Sequence, residues 1–138
     1  MSIRLTDTGG LFALGVLFGA TAKPTSFTVQ LFTDINPAAD SDTNTTHTVA
    51  AGGGYADKTI VNDAAAEIDN GVPMVSWTAL VWTFTGPLTG NPTIHGYQVL
   101  TGSTLIFEEV LDNPFTPTLS GDQLTIPLRF RLGNGTPA

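Results

Sequence analysis

Residues 93–132, TIHGYQVLTGSTLIFEEVLDNPFTPTLSGDQLTIPLRFRL, decide the fold class of this chain. The last ten residues of this stretch alternate between apolar and polar side chains. A period of two is typical of a β-strand with one buried face and one solvent face. The alternation therefore predicts a single closing strand, in which the even-numbered side chains are buried and the odd-numbered ones are not. The even set is Leu124, Ile126, Leu128, Phe130 and Leu132, and the odd set is Gln123, Thr125, Pro127, Arg129 and Arg131.

Two apolar segments upstream predict a β-hairpin. IHGYQVL (94–100) and TLIFEEVL (104–111) are separated by Thr101-Gly102-Ser103. A short loop containing glycine between two such segments is typical of a hairpin connection. The C-terminal third is therefore predicted to be a run of antiparallel strands.

The rest of the chain extends the β pattern. SFTVQLFT (26–33) and Lys58–Val61 predict strands, whereas NDAAAEIDNG (62–71) is compatible with a helical turn or a loop. VPMVSWTALVWTFTG (72–86) predicts one strand that is apolar on both faces and therefore covered on both. We predict an all-β, jelly-roll-like antiparallel β-sandwich of about eight strands in two sheets. A short apolar N-terminal arm (residues 1–22) precedes this domain (residues 23–138), whose strands begin at Ser26.

Composition limits the classes of partner. The 138 residues carry a formal net charge of −7 and only five lysines and arginines. Nucleic acids and anionic membrane surfaces both require basic patches, so neither is a predicted partner. The chain has no cysteine, which excludes disulfides and thiolate metal sites.

GGLFALGVLFGA (9–20) is the most apolar segment. A helix that spans a bilayer needs about 20 apolar residues, so a membrane span is not predicted. Three interpretations remain: a secretory signal peptide cleaved near Ala20-Thr21-Ala22, a short element packed on the core, or an arm packed on a neighbouring subunit. We predict the arm, with capsid or subunit contacts through Leu11, Phe12, Leu14, Val16, Leu17 and Phe18.

Residues 34–54 are polar and predict a long loop. Asp40, Asp42 and Asn44 match the first liganding positions of a calcium loop. However, Thr45 and Ala51 stand where that loop needs glycine and a bidentate glutamate. An ordinary solvated loop is favoured, and no metal or cofactor site is predicted.

No catalytic signature is present in the sequence. Glu108 and Glu109 are adjacent on a predicted strand, so they point to opposite faces and cannot act as a glycosidase pair. One of them must face the core side, where it is predicted to pair with Arg129 or Arg131 or to mark a subunit contact. His47 and His95 lack the spacing of metal ligands. The chain is therefore not predicted to be an enzyme.

Three aromatic residues leave a binding role open. Trp77, Trp82 and Tyr97 would form a sugar-stacking platform if they were exposed. Burial in the core is the favoured interpretation, and exposure on one face would favour a carbohydrate-binding module.

The order of several short motifs resembles a known group of proteins. The motifs are Leu31-Phe32-Thr33, Gly53-Gly54-Tyr55-Ala56, Trp82-Thr83-Phe84-Thr85-Gly86, His95-Gly96-Tyr97 and Asn113-Pro114-Phe115. In this order the chain resembles small virion proteins of tailed bacteriophages: β-sandwich head decoration (cement) proteins and related head or tail fibre proteins. The resemblance extends over most of the chain and includes no catalytic residues.

The resemblance implies a structural role on the outer surface of a phage head. The expected function is to bind and stabilise the shell, with the major capsid protein as partner. A homotrimer is also expected, because one small sandwich cannot cover both the arm and the doubly apolar strand. The alternatives are a tail or fibre component that recognises the host surface and a carbohydrate-binding module.

Overall fold

The computed structural model describes residues 3–132. Within this range one helix and ten strands form an all-β fold with antiparallel sheets, the predicted class. The elements are β1 (Ile3–Leu5), α1 (Asp7–Phe18), β2 (Ser26–Phe32), β3 (Lys58–Val61), β4 (Ala66–Asp69), β5 (Val72–Ser76), β6 (Leu80–Thr83), β7 (Ile94–Thr101), β8 (Thr104–Phe115), β9 (Gln123–Ile126) and β10 (Arg129–Arg131).

The largest sheet has five strands in the order β1-β8-β7-β2-β3. Its centre is the predicted hairpin: Thr101 pairs with Thr104, and Gly102 turns the chain with a φ of 56°. The strands predicted at 26–33 and at Lys58–Val61 are confirmed as β2 and β3. The first strand is at Ile3, not at Ser26 as predicted, because β1 pairs with β8. The segment predicted as a separate N-terminal arm, residues 1–22, therefore contains a strand of the main sheet.

Two segments predicted as single strands are each divided between two smaller sheets. The segment at 72–86 forms β5 and β6, and the closing segment forms β9 and β10. One sheet has the order β10-β5-β4, and the other pairs β6 with β9. Pro127 lies at the break in the closing segment and has no N–H to continue a ladder. The described residues thus form ten strands in three sheets, not about eight in two.

Residues 62–71 were predicted as a helical turn or a loop ending at Asn70-Gly71, and this was wrong for residues 66–69. Ala66–Asp69 is strand β4, and it pairs with β5 across a turn at Asn70-Gly71. Asn70 and Gly71 have φ values of 51° and 79°, as a two-residue type I′ turn requires. The preceding alanines have good helix propensity, but the turn and the pairing with β5 override it.

The alternation of residues 123–132 is confirmed in burial, although the strand is broken. Ile126 and Leu128 are buried, and Phe130 is half-buried against Phe107 with ring centroids 5.2 Å apart. The odd-numbered Thr125, Arg129 and Arg131 are exposed. Leu132 is the exception in the even set, because it is exposed.

The two faces of the five-stranded sheet have different surroundings. On one face, Val29, Val99 and Phe107 lie in register and belong to the main hydrophobic core, together with Trp82 and Ile126 of the smallest sheet. On the opposite face, the same register aligns three polar side chains, those of Gln30, Gln98 and Glu108.

Candidate functional site

Helix α1 is fixed to the main sheet at its first turn. Thr6 is the N-cap; its buried hydroxyl accepts a hydrogen bond from Gly9 N–H at 3.0 Å and donates to the Leu105 carbonyl at 2.7 Å. Gly9 lies so close to β8 that a methyl group in its place would be 2.0 Å from the Ile106 carbonyl oxygen. The cap and the glycine together orient the helix on the strand.

The side of α1 that faces away from the sheet is apolar and exposed. Leu11, Leu14, Leu17 and Phe18 are 72%, 58%, 72% and 80% exposed. Their spacing places them along one side of the helix, and we call these four residues the outer face of α1. Asp7 is the only charged residue in the helix sequence. A helix that is apolar on all sides is normally covered, so the outer face has the character of a contact surface.

The predicted contact residues thus divide into two groups. The four residues of the outer face are exposed, whereas Phe12 and Val16 are half-buried. Phe12 and Val16 lie at helical spacing from the buried Gly9, on the side of the helix towards β8.

No helix within residues 3–132 is long and apolar enough to cross a membrane.

A long loop covers the polar face of the main sheet next to α1. We call residues 33–50 the cover loop. It is joined to the end of β2, where Ala50 N–H donates to the Leu31 carbonyl at 2.9 Å. It is also joined to the helix, because Asp7 N–H donates to the Asp40 carbonyl at 2.7 Å and the Arg4 guanidinium contacts the Asp40 carboxylate at 2.7 Å. The cover loop and the helix are therefore connected directly.

The cover loop brings three ionisable side chains onto Glu108 of β8. His47 Nε2 lies 3.1 Å from Glu108 Oε2 and 3.5 Å from Asp42 Oδ2. On the other side of the ring, His47 Nδ1 lies 2.7 Å from Asp34 Oδ1. We call Asp34, Asp42, His47 and Glu108 the buried cluster, since Asp34 is partly buried and the other three are buried.

The imidazole of His47 is held in place from two directions. Its ring stacks on Phe32, with centroids 4.0 Å apart and planes at 11°. Asp34 is itself fixed by the N–H of Thr48 at 2.6 Å and of Asn36 at 3.2 Å. Burial opposes ionisation of Asp34, but the hydrogen bonds from His47 and Thr48 outweigh it and lower its pKa. An ionised Asp34 and a stacked ring fix the direction of Nε2.

The surroundings of Glu108 disfavour the ionised form of its carboxyl group. Burial, together with the nearby Asp42, raises its pKa to about 7 even though His47 acts in the opposite sense. Among the described residues, neither of its carboxylate oxygens nor His47 Nε2 has a partner with hydrogen-bond geometry. A buried polar atom without a partner is costly, so this arrangement requires an explanation.

Glu109 points to the opposite face and has a conventional partner. Its carboxylate accepts a hydrogen bond from the Tyr97 hydroxyl at 2.8 Å. Burial raises the pKa of Glu109, and this hydrogen bond partly offsets the effect. The predicted pairing of these glutamates with Arg129 or Arg131 was wrong, because Arg131 pairs with Asp69 and the glutamates have the contacts above.

No family model matches this chain, and no curated protein or solved structure is significantly similar to it.

The aromatic platform, which was the less favoured interpretation of the sequence, is not formed by Trp77, Trp82 and Tyr97. Trp82 and Tyr97 are 2% and 1% exposed and belong to the core, as favoured from the sequence. Trp77 is half-buried and packs edge-on against Phe27. Two of the three rings are thus inaccessible to a sugar.

The calcium pattern does not produce a calcium loop. Asp40 is exposed and pairs with Arg4, whereas Asp42 turns inward and Asn44 is half-buried. The Asp42 carboxylate accepts the Ala39 N–H at 2.8 Å. Sequence reasoning identified Asp42 and His47 separately but did not bring either to Glu108. The signal in the sequence that could have indicated this site was Glu108, a charged residue within the largely apolar segment 104–111 of strand β8.

Proposed function

We propose that this protein is a structural virion protein: a capsid decoration (cement) protein that binds and stabilises the outer face of a phage head. The observation that carries the proposal is the outer face of α1, an apolar surface on a helix that is firmly fixed to the main sheet. Removing such a surface from water on a partner contributes about 25 cal/mol for each Å² buried. A decoration role requires this contact and no catalytic site.

Charge and accessibility favour this role over the other candidates. The net charge of −7 favours a protein partner, the major capsid protein, over nucleic acid or an anionic membrane. The burial of Trp82 and Tyr97 weighs against a carbohydrate-binding module. A tail or fibre component that recognises the host surface would also need a contact surface, and the experiment below distinguishes it.

The architecture proposed for this role is a jelly-roll-like sandwich. The five-stranded sheet forms one layer, and the two smaller sheets together form the other. Support comes from the shared core, in which Val29 and Val99 of the large sheet pack with Trp82, Ile126 and the intervening Leu128. A sandwich of this kind gives a decoration protein a rigid body.

We extend the proposal to a homotrimer on the outer surface of the virion. Repeated sites on a symmetric shell allow one helix surface to contact both the shell and a neighbouring copy. Multiple attachment of linked subunits also strengthens weak individual contacts.

The attachment test uses undecorated heads of the source phage. Leu11→Gln, Leu14→Gln and Leu17→Gln are combined, because glutamine removes apolar surface and keeps helix propensity. The three substitutions should remove about 3 kcal/mol of favourable burial free energy from binding. Attachment should therefore weaken at least about 100-fold. Co-sedimentation with heads measures binding, and survival of heads after heating measures protection.

The matched control places the same substitution on apolar residues exposed elsewhere. Ile35→Gln, Ile68→Gln and Leu119→Gln, combined in one chain, should attach and protect like the unchanged protein. Equal attachment of the helix variant would refute the helix contact. Binding of the unchanged chain to host envelopes, with none to heads, would replace the decoration role by the fibre role.

A further inference from the structure

We propose that Asp42, His47 and Glu108 form a binding site for one divalent transition-metal ion, and that Zn²⁺ fits it best. The sequence predicted no metal site, and the proposal is independent of the decoration role. Its basis is the convergence of three ligand atoms, one from each residue, within 4.8 Å of one another.

The spacing of these atoms suits a small tetrahedral ion. Zn²⁺ bonds imidazole nitrogen and carboxylate oxygen at about 2.0–2.2 Å, which in a tetrahedral site separates neighbouring ligand atoms by about 3.3–3.6 Å. The Nε2 of His47 lies 3.1 Å from Glu108 Oε2 and 3.5 Å from Asp42 Oδ2. Ca²⁺ takes six to eight oxygen ligands, so this set of one nitrogen and two carboxylates is a poor calcium site.

The second, independent observation is the lack of hydrogen-bond partners for the buried ligand atoms. The Glu108 side chain is 0% exposed and that of His47 is 0% exposed. Within residues 3–132, neither His47 Nε2 nor either oxygen of Glu108 has a partner with hydrogen-bond geometry, although His47 Nε2 lies 3.1 Å from Glu108 Oε2. Buried polar atoms are normally satisfied, and an ion bound to His47 Nε2 and Glu108 Oε2 would satisfy both of these atoms.

Asp34 has the contact expected of a residue that positions a metal-binding histidine. Ligand histidines usually donate their other ring N–H to a carboxylate, which fixes the tautomer and directs the free lone pair to the metal. Asp34 Oδ1 is 2.7 Å from His47 Nδ1, and Asp34 is itself held by the Thr48 N–H at 2.6 Å. The stacked Phe32 ring keeps the imidazole in this orientation.

An ion at this position would join separate parts of the fold. Asp42 and His47 belong to the cover loop, and Glu108 belongs to β8. The cover loop also contacts the first residue of α1 through the Asp40 carbonyl. Since the unfolded chain cannot preserve this arrangement, metal binding is expected to stabilise the folded state.

The test uses the full chain after treatment with EDTA and removal of the chelator. Calorimetric titration with ZnCl₂ should give one ion per chain. The melting temperature should rise by about 5–10 °C at a Zn²⁺ concentration a hundredfold above Kd. CaCl₂ and MgCl₂ at the same concentrations should leave the melting temperature unchanged.

Three variants separate this site from adventitious binding. Glu108→Gln removes a charged ligand and should weaken Zn²⁺ binding at least about 100-fold, while Asp34→Asn should weaken it about 10–100-fold. His95→Gln is the control, because His95 lies on β7 outside the cluster, and its Zn²⁺ affinity should equal that of the unchanged chain.

Zn²⁺ X-ray absorption of the unchanged chain provides a measurement that does not depend on how the variants fold. It should show nitrogen and oxygen ligands, including one imidazole. Absence of Zn²⁺ binding, loss of binding in His95→Gln, or a spectrum without imidazole would each overturn the proposal. The buried cluster would then be a structural network of polar side chains that holds the cover loop on β8.

Discussion

Replacing Gly96 with alanine is expected to lower the free energy of unfolding by about 3 kcal/mol or more. The added methyl group would lie 2.2 Å from Phe32 Cζ and 2.4 Å from the Glu109 carbonyl oxygen. Phe32 is fully buried and stacked on His47, so its ring cannot move aside without disturbing that stack. The clash with Glu109 involves backbone between β7 and β8, where a shift would disturb the central hairpin.

Urea unfolding and calorimetry measure this effect, and the melting temperature should fall by about 10 °C. Gly10→Ala is the control, because its methyl group would meet only Leu5 Cδ2 at an ordinary 3.8 Å. Gly10 lies inside α1, where alanine is favoured over glycine by about 1 kcal/mol, so the control should be neutral or stabilising. A Gly96→Ala chain as stable as the control would show that the sheet and Phe32 are not packed this closely.

Replacing Gly9 with alanine should have the second largest effect, about 2–3 kcal/mol. The methyl group would lie 2.0 Å from the Ile106 carbonyl oxygen, so the helix must move away from β8. That movement would strain the hydrogen bonds of Thr6 to Gly9 and Leu105. The intrinsic preference of a helix for alanine opposes the loss but does not exceed it.

Hydrogen exchange distinguishes this change from a general loss of stability. Amides of residues 10–18 should exchange faster in Gly9→Ala, while those of β2 and β7 should remain protected. The neighbouring Gly10→Ala again serves as the control and should retain protection in α1. Unchanged exchange in the Gly9 variant would contradict the close approach of helix and strand.

The predictable parts of the fold are those with a strong local signal. The hairpin at Gly102 and the strand β2 follow from alternation and turn residues alone. The divided closing segment does not, because the alternation continues through Pro127 while the pairing partners change from β6 to β5. Strand β4 was missed because the Ala run outweighed the Asn70-Gly71 turn in the interpretation.

The candidate sites, like the fold, could be predicted from the sequence only in part. The apolar residues of α1 were identified from composition, but a helix apolar on all sides gives no amphipathic pattern, and Gly9 decides which side meets β8. The buried cluster could not be assembled from the sequence, because Asp42 and His47 belong to a loop without regular structure and Glu108 to a distant strand. Their convergence depends on how the cover loop lies on the sheet.

A reconstruction of the virion in which we propose that this chain resides tests the central claim most directly, because it would show what covers the outer face of α1. We expect the chain on the outer surface of the head, with Leu14, Leu17 and Phe18 buried against the capsid protein or a neighbouring copy. Burial of this surface is the source of the attachment free energy in our account. A reconstruction in which the chain lies on the shell with these side chains exposed to solvent, or lies on the tail alone, would contradict it.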